Sequence, residues 1–191
     1  MKPIRDPKQV EHYGKLLCEM MLTEKGRETE FNAGWVRSHG WKVVPVESGW
    51  RLPVEYIPRL ISLLKSAGYT HCIAVFNQPG YIQDLPVLTR IQPPDDMTTC
   101  YFVEITEADF QDFNREFGPF RSVLTTEDGF WALSTHEWYT LVAGNPAAVE
   151  AILDEPIEKA EQEFLEYAAV LAGGQSPDES ILQVAKHYAA L

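Results

Sequence analysis

The chain has few of the residues from which recognisable active sites are built. Its 191 residues include three cysteines and five histidines. Cys18, Cys72 and Cys100 show no CxxC spacing, so a disulfide framework or a thiolate metal site has no support. Two of the three lie in apolar runs, where a thiol behaves as a small hydrophobe, and this predicts reduced cysteines in a cytoplasmic protein. The longest apolar runs, such as 73–76 and 167–172, are too short to cross a bilayer. The first residues, Met1-Lys2-Pro3-Ile4-Arg5-Asp6-Pro7, lack the apolar core of a signal peptide.

Catalytic motifs are equally scarce. There is no GxSxG elbow, no GxxxxGK[ST] phosphate loop and no GxGxxG. His136-Glu137-Trp138-Tyr139-Thr140 begins like a zinc-protease helix, but Thr140 stands where the second histidine is needed. His12, His39, His71 and His187 have no metal-ligand spacing. His71 and Cys72 are neighbours on a predicted strand, so they point to opposite faces and cannot share a proton. Asp95, Asp96, Glu104, Asp109 and Asp112 are the carboxylates to weigh as a metal or acid/base cluster; Asp109 and Asp112 sit at the start of a predicted helix, where the macrodipole favours acids, and a solvated face is the default. No catalytic residue, metal ligand or cofactor is assigned.

Basic residues are scarce in one half of the chain. Residues 104–191 hold 17 acidic side chains against Arg115, Arg121, Lys159 and Lys186, a net charge of −13. Residues 1–103 hold 11 acidic and 12 basic side chains, and the whole chain carries −12. A one-sided acidic field repels nucleic acid and anionic membrane and attracts basic partners.

The remaining composition is that of an ordinary globular domain, with 45% hydrophobic and 23% charged residues. A single α+β domain is predicted over 1–191, with residues 173–191 a candidate appended helix after Gly173-Gly174. A first helix starts at Asp6 with Pro7 in the first turn, and Val10, Tyr13, Leu17, Met20 and Met21 recur on one face. Residues 23–40 read as a fraying helix end and a loop.

Residues 41–46 read as a strand that Pro45 confines to an edge or an end. A helix within 53–67 ends at Gly68, and the doubly apolar run 71–76 reads as a central strand. Residues 77–97 read as a long irregular loop in which 81–91 can hide a short strand. A strand over 99–105 leads into a capping box at Thr106–Asp109 and a helix with Phe110, Phe113 and Phe117 on one face. Runs at 120–124, 130–134 and 138–143 form a meander, so the sheet of about five to six strands is mixed and largely antiparallel. Helices follow over 146–153 and 156–172. The last helix, opened by Ser176-Pro177-Asp178-Glu179, presents Ile181, Ala185, Tyr188 and Leu191 either to its own body or to a second copy of the chain.

The aromatics of the meander carry the functional expectation. On a strand, Phe130 and Trp131 face opposite ways, as do Trp138 and Tyr139, so one ring of each pair is exposed wherever helices leave a face bare. Glu127, Asp128 and Glu137 stand beside them in sequence. Glu127, Asp128, Trp131, Glu137, Trp138 and Tyr139 are therefore the candidate contact residues for a basic protein partner, since aromatics rimmed by one sign of charge fit a binding hot spot. In composition, as a small acidic α+β chain without catalytic motifs, the protein resembles the immunity proteins that neutralise bacterial toxins. That resemblance implies a basic partner such as a nuclease, which must itself be basic to hold nucleic acid. The alternative is a small-ligand sensor or enzyme with a pocket near the 77–97 loop, lined by Tyr81, His71 or His39, and Asp95 or Asp96.

Overall fold

The computed structural model describes residues 1–21, 30–48, 52–76, 89–90, 99–117, 122–136, 138–173 and 179–191. The chain forms β1 (Lys2–Pro3), α1 (Pro7–Met20), α2 (Ala33–Ser38), β2 (Lys42–Glu47), α3 (Tyr56–Ser66), β3 (His71–Phe76), β4 (Thr89–Arg90) and β5 (Thr99–Thr106). A 3-10 turn (Glu107–Asp109) leads into α4 (Phe110–Phe117), followed by β6 (Ser122–Thr125), β7 (Trp131–Thr135), β8 (Tyr139–Gly144), α5 (Pro146–Leu153), α6 (Ile157–Ala172) and α7 (Glu179–Ala189). The α+β class read from the sequence is the class observed.

One sheet runs in the order β1-β5-β3-β6-β7-β8-β2, with β4 added to β5. Every described pairing is antiparallel. Six strands have four or more residues, and the short β1 and β4 extend the sheet around β5. β4 falls within the 81–91 stretch where a hidden strand was expected.

Local rules account for most of the elements. Asp6 caps α1 by accepting from the Lys8 amide at 2.9 Å. Thr106 and Asp109 complete the reciprocal capping box. Asn145 accepts from the Ala148 amide at 2.9 Å, so the strand-turn-helix step there is used as a cap. α2 is a departure from the sequence reading, which had a loop at 33–38. Asn32 caps it through the Gly34 amide at 2.8 Å, and buried Val36 anchors it.

Helices cover both faces of the sheet. α3, α4, α5 and the start of α6 bury one face, where Cys72, Ala74, Val103, Leu124, Trp131 and Leu133 meet Leu60, Phe110 and Ile152. α1, α2 and the end of α7 bury the other, where Ile73, Val75, Phe102, Ala132 and Leu141 meet Tyr13, Met20, Phe31 and Tyr188. β3 is thus a central, doubly covered strand, as its apolar run predicts.

The edge strand β2 carries Pro45, whose missing N–H costs least where no second strand pairs. α6 and α7 pack against each other and onto β2, and so shield this edge. The apolar face of α7 is therefore taken up by its own chain: Ile181 and Ala185 meet Phe164 and Ala168, and Tyr188 enters the core. Gly174 to Asp178, including part of the expected hinge and helix start, lie outside the described residues.

Candidate functional site

β7 decides how the expected contact residues are distributed. Its five residues span about 17 Å at the usual strand rise. The turn before it (126–130) and the turn after it (136–138) therefore lie at opposite ends of the sheet. Glu127 and Asp128 belong to the first end, Trp138 and Tyr139 to the second, and no single small patch joins them. Glu137 lies outside the described residues.

At the first end, Asp128 builds the turn. Its carboxylate accepts from the Tyr69 hydroxyl at 2.6 Å, the Thr126 hydroxyl at 2.9 Å and the Phe130 amide at 3.2 Å. Burial, followed by the hydrogen bond to Asp128, pushes the Tyr69 phenol up to about 12. Gly129 takes φ +71°, which suits glycine, and a Cβ there would press on Leu16. The Glu127 carbonyl meets His12 Nε2 at 3.1 Å. An acid so fully engaged with its own chain is poorly placed to receive a partner's cation.

Trp131 is 0% exposed and packs in the core. Its place in the contact set is corrected: helices cover the face it points to, so its ring does not reach the surface. It stands opposite Gly144, where an added Cβ would come within 3.2 Å of the Trp131 Cβ. Phe130 is half-buried against Tyr69.

The second end keeps its aromatics near water. Trp138 is 47% exposed. Tyr139 is half-buried, stacked on His136 with ring centres 4.3 Å apart and edge-on to Phe164 at 5.9 Å. Phe164 in turn meets Tyr167 at 5.8 Å, and the Tyr167 hydroxyl donates to the Trp138 carbonyl at 3.2 Å. The Ser48 amide donates to that same carbonyl at 3.2 Å, which prolongs the β2–β8 ladder by one step.

Glu47 stands opposite Tyr139 in the ladder. Burial, and then Glu47, raise the Tyr167 phenol above its ordinary value. Beneath this surface buried hydroxyls are satisfied in pairs: Ser48 with Thr140 at 2.9 Å and Ser122 with Thr135 at 3.0 Å.

α6 supplies a carboxylate-rich flank that the sequence reading did not single out. Glu158, Glu161, Glu163 and Glu166 lie along it with Lys159 as its one cation. Glu47, Tyr56, Glu155, Glu163 and Phe164 converge on a cavity of about 160 Å³ beside the Trp138 end. The only signal in the sequence was the run of glutamates; Glu47 and Tyr56 come from distant positions, and no local pattern joins them to it.

The carboxylates of β5 and of the start of α4 have structural partners. Asp112 pairs with Arg115 at 2.7 Å, Glu104 with Lys2 at 3.3 Å, and Asp109 serves its cap and the Met1 ammonium. Asp95 and Asp96 lie outside the described residues, as do Tyr81, Trp50 and all of 77–97 except Thr89 and Arg90.

The alternative pocket is not assembled by the described residues. β3 and β5 border the 77–97 segment at Phe76 and Thr99, whereas His71 starts β3 at the opposite end of the sheet. His39 stacks on Trp35 with ring centres 3.7 Å apart. Trp35 reaches Gly129, which places this pair at the His71 end.

Neither Cys18 nor Cys72 is an activated thiol. Burial pushes the Cys72 thiol well up, and burial followed by Glu19 raises that of Cys18. Among the described residues no three His, Cys, Asp or Glu side chains are grouped to hold a metal, and no helix is long and apolar enough to cross a membrane. Comparison of the chain with known protein families, curated proteins and solved structures yields no match.

Proposed function

We propose that this protein is a non-catalytic binding module whose acidic C-terminal half holds a basic protein partner. The contact centres on Trp138 at the β2–β8 end of the sheet. One observation carries the reading: a large aromatic ring, 47% exposed, stands on a turn that the Tyr167 hydroxyl ties to the glutamate-rich helix α6. Exposed aromatics supply contact area, and charge of one sign around them steers an oppositely charged partner.

Trp138 and Tyr139 are the anchors of this surface. Glu127 and Asp128, about a strand length away, contribute field rather than contact. A nuclease toxin fits the partner's chemistry, because a protein that grips nucleic acid must be basic. In that case the chain acts as an immunity-type inhibitor, as its composition suggests.

The test is purification at low salt from the source cell, followed by measurement of the complex across ionic strength. A basic protein that co-purifies, and whose affinity falls by tenfold or more between low and high salt, supports the reading. Binding indifferent to salt, or no protein partner at all, overturns it.

A further inference from the structure

The face that α6 buries carries one carboxylate. Ile157, Ala160, Phe164 and Ala168 are its buried residues, and Glu161 falls among them, four positions after Ile157 and three before Phe164. The residue is half-buried, and its Oε1 is shut off from solvent with no hydrogen-bond partner among the described residues. Buried polar oxygens normally have a partner, because an ionised group taken out of water and left unpaired is costly.

No cation repairs this. Lys42, half-buried at the start of β2, acts on Glu161 from across the interface, yet the two form no ion pair. Glu158, one turn back on the same helix, repels it. Glu47 of β2, Glu150 of α5, and Lys186 and His187 of α7 are the other described charged or titratable residues on the elements packed most closely against α6, and none of them acts on Glu161. Burial is the largest influence, Lys42 opposes it and Glu158 adds to it, so the carboxyl stands above its ordinary value of 4.5.

We propose that Glu161 makes the seat of α6 on β2 proton-sensitive, the helix sitting more firmly when this carboxyl is neutral than when it is ionised. Protonation takes the charge out of the contact and leaves a neutral oxygen there, which is far less costly to bury. The Tyr167 hydroxyl on the same helix donates to the Trp138 carbonyl, so a firmer seat also steadies the turn that presents the exposed ring. The sign follows from a folded value raised above the unfolded one. The stabilisation is fully present below 4.5 and is lost as pH rises through the folded value. Acidification therefore tightens α6, and neutral pH loosens it.

The test compares the full chain with Glu161→Gln, a neutral isostere, at pH 4 and pH 7. At pH 7 the variant is expected to melt about 2–4 °C higher than the parent. Its hydrogen exchange in α6 and at 138–140 is expected to be about threefold slower. At pH 4 the two chains are expected to match. Glu166→Gln removes the same charge from an exposed position of the same helix and is expected to leave the pH 7 midpoint within about 1 °C of the parent. The inference is overturned if Glu161→Gln gains nothing at pH 7, or gains as much at pH 4. An equal gain from Glu166→Gln also overturns it, since relief of the chain's net charge would then be the cause.

Discussion

The hydroxyl of Tyr167 donates to the main-chain carbonyl of Trp138 at 3.2 Å. The helix that shields the edge of the sheet thereby also holds the turn that presents the exposed tryptophan. Substituting Tyr167→Phe removes this bond and leaves the ring contact with Phe164 in place. The expected cost is about 1 kcal/mol of stability, the usual net worth of one hydrogen bond. Partner affinity falls a few-fold as the turn loosens. Urea denaturation and a binding titration on the same preparation check both effects.

The two meander tryptophans have separate jobs, and truncating each one separates them. Trp131→Ala leaves a large void in the closed core and is expected to cost about 3–5 kcal/mol. Trp138→Ala removes a half-exposed ring and costs under about 1 kcal/mol, yet weakens the partner complex at least tenfold. Thermal and urea midpoints set beside binding constants decide the matter. The account fails at this point if Trp138→Ala destabilises the fold as much as Trp131→Ala does.

A buried hydrogen bond adds to the apolar contacts that seat the last helix. The Phe31 amide donates to the Tyr188 hydroxyl at 3.1 Å across 157 residues of sequence. Tyr188→Phe leaves that buried amide without its acceptor, so about 1–3 kcal/mol is expected to be lost. Hydrogen exchange is expected to quicken in α7 and at Phe31 before it does in β3. Equal protection in the variant and the parent chain would mean that packing alone seats the helix.

The acid limb of stability should report Asp109. Its carboxyl is held down to about 2, first by the Met1 ammonium and next by the Thr106 hydroxyl. A carboxyl whose folded value lies below its unfolded value of 3.8 stabilises the fold above that value. This contribution is lost as pH falls from about 4 through about 2. Asp109→Asn is therefore expected to lower stability at neutral pH and to flatten the pH dependence across that window. Urea midpoints between pH 2 and pH 7 measure the slope.

Much of the fold was legible in the sequence because its signals are local. The caps at Asp6, the Thr106–Asp109 box and Asn145-Pro146 each lie within four residues of the helix they start, and the structure places those helices there. The edge position of β2 followed from Pro45, and the central position of β3 from its uniformly apolar run. α2 escaped notice because a six-residue helix with one buried residue carries too little periodicity to be seen.

The site was less legible because it is assembled over long range. Glu127 and Trp138 belong to one short stretch of sequence, but a five-residue strand sends the turns that bear them to opposite ends of the sheet. Which of Phe130 and Trp131 turned inward depended on which helices covered which face. Tyr56 and Glu163, on two walls of the cavity, are more than a hundred positions apart, and only the packing of α6 along β2 brings them together.

The central claim is that the partner sits on the Trp138 end of the sheet, and hydrogen exchange on the complex tests it most directly. Binding of the co-purified basic protein is predicted to slow exchange at residues 138–140 and along α6 from 163 to 167, and to leave the turn at 126–130 unchanged. Protection confined to 126–130, or to neither turn, would contradict the account.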